Sequence, residues 1–526
     1  MARPTSNNAW YLGIDLGTGG VKVAAVGRDG IVRASAFASI DTDYADVLTG
    51  SGGATQDASK WWLSIVQCIR TILGSLVAAD CAGVGITGQW GSSVPVDARG
   101  VPVGPCLLWS DDRGGAWSAA ITGGPLRVSG YAPAKLLTWM RRTGGAPSPG
   151  GADPTGHEQF LRNRAPGVHA AAFALLEPVD YIGARLTGCV AATPASMTLS
   201  WLTDNRSSSA SYDPKLVELA NRDRSKLPAL RTTGSVLGPL DPKVADELGL
   251  GRNVEVVCGV PDLHTAGLGA GLTDDFDGHV AISTTAWVSA TVPFKRTDVL
   301  HQIASVPGLR AGSYLIANNH ETGGACLRWF RESMYGSQLH TDDLPTYDFI
   351  TKEAASAPTG SGGVIFCPWL KGERSPVEDR HLRASFLNVS LATDRAALAR
   401  SVLEGVAYNA RWLLDATERF ARKPLSSLRL LGGGAQSALW CQIHADVIGR
   451  PIEQVVDPVN VNVRGAAWFA ALSLGHLGIG DVRSCRPVGT VFTPDPVSMR
   501  AYQPLMREFA AVYKQQRGMY RRLNNK

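Results

Sequence analysis

The chain has 526 residues, 44% of them hydrophobic and 18% charged, a globular composition with core enough for roughly two to four domains. A net charge of +5 over this length is too small to argue for nucleic acid, and no apolar run is long enough to span a membrane. Nine cysteines without CxxC or CxC spacing argue against a zinc site or a disulfide frame and for free buried thiols in a reducing compartment, and MARPTSNNAW lacks the apolar core of a signal segment, so the cytoplasm is the expected location.

The first landmark is Leu12-Gly-Ile-Asp-Leu-Gly-Thr-Gly-Gly-Val-Lys22. Trp10 to Ile14 and Val21 to Val26 read as the two strands of a hairpin, with a glycine-rich loop between them. Glycine has no Cβ and accepts positive φ, so a charged ligand can reach the backbone N–H groups there. Asp15 at the end of a buried strand wants a partner or a cation, and Thr18 adds a hydroxyl. The stretch fits phosphate with hydrated Mg²⁺; an ordinary hairpin turn would use the same glycines. Ile31 to Phe37 is a third strand candidate. Ser59 to Leu76 reads as a helix, with Trp62, Ile65, Ile69 and Leu73 on one face. A strand, Gly83 to Thr87, leads into Gln89-Trp90-Gly91, and Val94 to Asp97 is another short strand. Lys135 to Arg142 and Glu177 to Leu186 look helical. Gly144 to Gly156, rich in Gly and Pro, reads as an exposed loop, either a surface insertion or a lid.

A buried strand then runs into Gly259-Val-Pro-Asp262, followed by a helix rich in small residues at Ala266, Gly267, Gly269, Ala270 and Gly271. Glycine this dense weakens a helix, so the site must require small residues. The domain boundary is placed here. The second half repeats the plan of the first: Val280 to Ser289 is strand, hydroxyl-rich turn, strand. A long helix starts at Thr393 as N-cap and runs past Leu413. Next come a strand, Leu428 to Leu431, the loop Gly432-Gly-Gly-Ala435, and a helix from near Ser437. Strand, glycine loop and helix N-terminus together suit a nucleoside. Gly465 to Leu472 begins another buried helix, and the basic C-terminus from Lys514 to Lys526 reads as a solvated helix end.

These segments resemble the FGGY carbohydrate kinases of the actin-like ATPase superfamily, nearly end to end. GIDLGTGGVK is similar to the family's first phosphate loop in its xylulokinase form, GVPDLHTAGLGAG to the segment with the catalytic aspartate, and residues 432 to 452 to the adenosine segment. Leu108-Trp-Ser-Asp-Asp-Arg113, Asp180-Tyr-Ile-Gly-Ala-Arg-Leu-Thr-Gly188, Gly372-Glu-Arg-Ser-Pro376 and Glu404-Gly-Val-Ala407 support the match. The resemblance implies an α/β fold of two actin-like (ribonuclease H-like) ATPase domains facing a central cleft, residues 1–265 and 266–526. It implies ATP and Mg²⁺, a small sugar as substrate, no nucleic-acid or membrane partner, and leaves a homodimer open. Asp262 would be the general base and Asp15 the metal residue. Gly17, Thr18, Gly19 and Lys22 would take phosphate, with Ser283, Thr284 and Thr285 doing so from the second loop. Gly433, Gly434 and Ala435 would back the nucleoside, with Gln436 and Ser437 beside it. Gln89, Trp90, Trp109, Asp111 and Arg113 would line the sugar cleft; a hinge aspartate is the alternative for Asp262, a surface ion pair for Asp111–Arg113, and a core position for Trp109.

Three positions depart from the family pattern. Many xylulokinase-like chains carry Gln-Met-His where this one has Gln89-Trp90-Gly91, so an imidazole is missing and an indole is added. The second loop, usually Gly-Thr-Ser-Gly, is Ser283-Thr-Thr-Ala286, and Trp139 falls one residue late. A ketopentose such as D-xylulose is the leading substrate expectation, with other ketoses, sugar acids and polyols open. A non-catalytic nucleotide-dependent protein is the other class, and the intact Asp262 argues against it.

Overall fold

Two sheets built on one plan organise the computed structural model, which describes residues 8–44, 53–122, 133–148, 150–206, 209–336 and 344–524. The first sheet comprises β1 (Trp10–Gly17), β2 (Gly20–Gly27), β3 (Val32–Ser39), β4 (Cys81–Gly88), β5 (Val236–Pro239), β6 (Glu255–Val257) and β7 (Val260–Pro261). Its order is β5-β6-β4-β1-β2-β3, with β7 also on β4. The meander β1-β2-β3 is antiparallel, while β4 joins β1 in parallel. Burial alternates along β3, as expected of an edge strand with one wet face. Helix α1 (Ala58–Leu73) is capped by Asp57, whose carboxylate accepts from the Ser59 N–H at 2.9 Å. Its buried stripe of Trp61, Trp62, Ile65 and Ile69 covers the sheet.

The first hairpin is tighter than the sequence suggests. β1 runs through Asp15 to Gly17, and only Thr18 and Gly19 form the turn before β2. Asp15 is therefore a strand residue, directly opposite Lys22. Gly144 to Gly156 also departs from its reading as an exposed loop: it is largely buried, and its last residues start a helix, Pro154–Arg164, capped by Asp153. Its glycines serve close packing, since a Cβ on Gly156 would fall 2.1 Å from the Gly151 carbonyl oxygen.

Helix α2 (Asp262–Gly269) follows β7 and leads to the second sheet. That sheet has β8 (Asp277–Ile282), β9 (Ala286–Val292), β10 (Thr297–Asp298), β11 (Ile303–Pro307), β12 (Tyr314–Ala317), β13 (Ser427–Leu431), β14 (Ile452–Gln454) and β15 (Val491–Phe492). Its order is β10-β11-β12-β9-β8-β13-β14-β15. Here too an antiparallel meander, β8-β9-β12, is flanked by a parallel strand, β13 on β8. Helices α3 (Gly324–Tyr335), α4 (Arg395–Ala421) and α5 (Ala438–Ile448) complete this half with a core of Phe330, Val402, Leu413, Leu430 and Ile443. The cap of α4 is Asp394, one residue after the expected Thr393, because its carboxylate reaches the Ala397 N–H at 2.8 Å.

Helix α6 (Val461–Ser473) comes late in the chain but packs on the first sheet and on α2. The approach is backbone to backbone. A Cβ on Gly13 would sit 2.1 Å from the Val463 oxygen, on Gly85 1.9 Å from that of Ala466, on Gly269 1.9 Å from that of Val461, and on Gly465 2.1 Å from that of Thr265. This is why the α2 segment is built from small residues. Helix α7 (Pro496–Asn524) ends the described chain with Lys514, Arg517, Arg521 and Arg522 exposed, as a solvated helix end requires; Lys526 lies outside the described residues. All nine cysteines are free, and of them only Cys189 is half-buried and Cys485 exposed. Among the described residues no helix is long and apolar enough to cross a membrane.

Candidate active site

Three parallel strands of the first sheet end abreast. Asp15 on β1 lies beside Thr87 on β4, and Thr87 lies beside Val260 on β7. Asp262 follows β7 at once and opens α2. The register therefore sets Asp15 and Asp262 at one crevice, at the carboxyl ends of the strands, where open α/β sheets place ligands. The Thr87 and Thr265 hydroxyls, 2.8 Å apart, fasten α2 to β4. The Asp262 Oδ1 accepts from the Leu263 N–H at 2.7 Å. Burial, reinforced by the Asp15 charge, lifts the Asp262 carboxyl to about 7. Asp15 is raised by burial too, with the Lys22 ammonium pulling the other way. Two carboxylates that cost free energy when both ionised form a setting that a cation, or a proton to be taken up, relieves.

The expected sugar-side residues meet the first hairpin turn. The Thr18 hydroxyl lies 3.2 Å from Gln89 Oε1 and accepts from the Trp109 indole N–H at 3.1 Å. Gln56, which sequence reasoning passed over, donates to the Thr18 carbonyl at 2.8 Å and accepts from the Trp61 indole at 3.0 Å. Glu177 was also missed as a support: its carboxylate accepts the Gly91 and Ser92 N–H groups and holds the Gln89-Trp90-Gly91 turn. Nothing in the local sequence marks either residue, because the turns they support, at Thr18 and at Gly91-Ser92, lie dozens of positions away. Trp90 is half-buried; its indole donates to the Ser196 carbonyl at 2.7 Å and meets His264 edge-on at 5.8 Å.

Asp111 and Arg113 form a buried pair, which removes the surface ion-pair alternative. Asp111 Oδ1 takes the Arg113 N–H and Nε, and Oδ2 takes Arg113 Nη2 and the Ala54 N–H. All of its acceptor directions are used, so in this arrangement it presents no free lone pair to a ligand. The guanidinium also stacks on Phe160, 4.3 Å from the ring centre. The pair thus braces the wall that carries Trp109.

The second hairpin turn, Ser283–Thr285, leaves Thr284 exposed. The glycine loop crosses directly above β8: a Cβ on Gly432 would fall 2.6 Å from the Ile282 oxygen and 2.9 Å from the Ser283 hydroxyl. Gly433 is exposed with open space over its Cα, and Gln436 is exposed beside it. Ala435 is buried, its carbonyl accepting from Gln454 at 2.6 Å. Ser437 caps α5 by accepting the Trp440 N–H, leaving the helix N-terminus beside the loop. Lys22 donates to the Val459 carbonyl, and the Gly432 N–H donates to the neighbouring Pro458 carbonyl at 3.1 Å. The turn before α6 therefore joins the first hairpin to the glycine loop, and Lys22 makes that joint.

The comparisons agree with this architecture. The model for the N-terminal domain of the FGGY family of carbohydrate kinases matches residues 10–146 and 152–269, and that for the C-terminal domain matches residues 289–474. A xylulose kinase of Staphylococcus epidermidis is 27% identical over 532 residues, covering 96% of this chain and 96% of that protein. Solved structures of a gluconate kinase and a ligand-bound xylulose kinase, both from Lactobacillus acidophilus, superpose with TM-scores of 0.82 and 0.81 at 19% and 20% identity. They cover 98% of this chain and 99% and 100% of their own. Matched along most of its length by both domain models, the chain belongs to the FGGY family of carbohydrate kinases, enzymes that phosphorylate a sugar with ATP.

Proposed function

We propose that the substrate is a ketopentose, with D-xylulose first, and that the enzyme works in the cytoplasm, where ATP is supplied and its free thiols stay reduced. The relatives and neighbours named above as xylulose kinases support this reading. Gluconate is the second reading, because a gluconate kinase superposes equally well and the Gln89-Trp90-Gly91 turn lacks the imidazole of many xylulokinase-like chains.

The single observation that carries the chemistry is the Asp15–Asp262 crevice, with Asp262 lifted to about 7. Asp262 takes the proton of the attacking sugar hydroxyl as its oxygen bonds to the γ-phosphorus. The bond from that phosphorus to the bridging oxygen breaks, and its electrons leave on ADP. The fit for Mg²⁺ rests on hard oxygen donors: ATP-borne Mg²⁺ needs only one or two protein carboxylates, and a divalent charge would relieve the repulsion between Asp15 and Asp262. Asp15 would hold it, and when bound it would neutralise charge on the transferring group. Thr18 and Gly19 from the first turn, and Ser283 to Thr285 from the second, would face the phosphates. Gly433, Gly434 and Gln436 would carry the nucleoside. The test is ADP release with ATP and Mg²⁺ across D-xylulose, other ketoses, gluconate and glycerol. The reading requires D-xylulose to show the highest kcat/KM; gluconate in first place would replace it with the second reading.

A further inference from the structure

Glu373 lies outside the crevice, in the segment between α3 and α4, and is fully buried at its side chain. Four donors from four positions saturate its carboxylate. Oε1 accepts the Glu321 N–H at 3.1 Å and the Arg374 N–H at 2.8 Å. Oε2 accepts His320 Nδ1 at 3.0 Å and Asn409 Nδ2, from α4, at 2.7 Å. Because an ionised carboxylate only accepts, this contact calls for the His320 proton on Nδ1, and Asn409 Nδ2 lies 3.0 Å from the same nitrogen.

What Glu373 holds is the strip that backs the second phosphate turn. The His320 N–H donates to the Ala286 carbonyl at 2.7 Å, the Gly323 N–H to Thr284 at 2.9 Å, and the Gly324 N–H to Ser283 at 2.7 Å. Gly323 and Gly324 have no side chain because the turn presses against them: a Cβ on either would lie 2.7 Å from a turn carbonyl. The Ser283 and Thr284 carbonyls of the turn, and that of Ala286 just after it, thus point into residues 320–324, which leaves the turn's other side for a ligand. A buried carboxylate is a costly way to fill a core, and apolar packing would serve stability at least as well. We propose that Glu373 is a positioning residue for phosphoryl transfer. Through His320 and Glu321 it fixes residues 320–324, and through them the Ser283–Thr285 turn, in the arrangement that receives the ATP phosphates. The inference rests on the reading of that turn as a phosphate loop.

The test compares two buried carboxylates. Glu404, on α4, accepts from Gly360, Arg400, Ser361 and Tyr502 but touches nothing that backs the turn. Glu373→Gln and Glu404→Gln are each titrated with a non-hydrolysable ATP analogue and Mg²⁺ by calorimetry, without sugar, and their ATP KM and kcat are measured with the best sugar. Both should lower Tm. Glu373→Gln should bind the analogue about 3- to 30-fold more weakly and raise the ATP KM alike, with sugar KM unchanged, while Glu404→Gln binds as wild type. If Glu373→Gln does not fold, His320→Ala should show the same nucleotide loss and His320→Asn, which keeps a donor at the Nδ1 position, should restore it. Unchanged analogue affinity in a folded Glu373→Gln, equal loss in Glu404→Gln, or no difference between the His320 variants overturns the proposal. A wild-type protein that does not bind the analogue overturns the phosphate-loop reading instead.

Discussion

As the proposed general base, Asp262 would face two conflicting demands. A base must be ionised when the hydroxyl attacks, yet burial and the Asp15 charge favour its protonated form, with a pKa of about 7. The acid limb of kcat/KM should therefore fall near pH 7, activity rising with pH through it. Asp15→Asn removes the repelling charge, so the limb should move to lower pH while Mg²⁺-dependent ATP binding weakens; a limb that stays in place would separate the two carboxylates. Asp262→Asn should cost about 10²- to 10⁴-fold in kcat with ATP affinity kept. The same substitution has a stability consequence of definite sign. The folded state holds the Asp262 proton up to about pH 7, whereas the unfolded chain releases it near the ordinary 3.8, so stability falls as pH rises between these values. Above pH 7 the ionised form costs at most about 4 kcal/mol. Asp262→Asn should thus raise Tm at pH 8 and change it little at pH 4; a lower Tm at pH 8 would make the residue a structural cap. Asp15 and Asp262 were legible in the sequence because each sits in a short contiguous motif. Glu373 stands within the motif Gly372 to Pro376, but its role was not legible there, since its donors come from residues 320, 321 and 409 as well as 374.

Helices α2 and α6 explain a pattern that the sequence posed without solving. The density of glycine after Asp262 demanded a close neighbour, but the neighbour begins at Val461, almost two hundred positions on, and no periodicity within α2 points to it. The hairpins, by contrast, were legible because strand, turn and strand are contiguous, although β1 extends further than its apolar run because Asp15 pairs across to Lys22. Reading Gly144 to Gly156 as exposed failed for the same reason as α2: glycine marks a surface turn and a tight backbone contact equally well. The distinction is open to experiment. Gly465→Ala puts a methyl 2.1 Å from the Thr265 oxygen, so α2 and α6 must part. A loss of about 1 to 3 kcal/mol in urea unfolding is expected, together with a drop in kcat, since α2 carries Asp262. Gly433→Ala has open space above it and an ordinary φ, so stability should stay the same, while a nucleoside seated on the loop would bind more weakly. If Gly465→Ala is neutral, the helices tolerate separation; if Gly433→Ala leaves ADP affinity unchanged, the nucleoside lies elsewhere.

Besides α6 on the first sheet, the two halves meet where Trp90 stands. Its ring packs with Leu263 of α2 and with Val306 and Leu315 of the second sheet, while its N–H stays bonded to Ser196 in the first half. Beside it His264 Nε2 lies 2.9 Å from the Pro307 carbonyl, and Thr297 donates to Gly144 at 2.9 Å. The repeat of sheet plan between halves was visible in the sequence as two strand–turn–strand units; the seam between them was not, because every seam contact joins residues from opposite halves. An indole that spans the seam ties cleft shape to closure. In the proposed reaction, closure would expel water, protecting ATP from hydrolysis, and would bring the turns of both halves onto the phosphates. Removing the indole with Trp90→Ala strips apolar contacts from the seam but leaves the nucleotide loops and Asp262 in place. The open form should then be more populated. The radius of gyration of the ligand-free protein should rise in solution scattering, sugar kcat/KM should fall, and preference among sugars should shift by about 10- to 200-fold, the range of a modest pocket change. ADP affinity should hold, since the apolar cluster around Trp90 includes no residue of the glycine loop or of α5. ADP release without sugar, relative to release with it, should increase, because a looser seam admits water to the γ-phosphate. A Trp90→Ala protein of unchanged dimensions and unchanged sugar ranking would show that the indole is core packing and that closure is governed elsewhere, by His264 and the Gly144 contact.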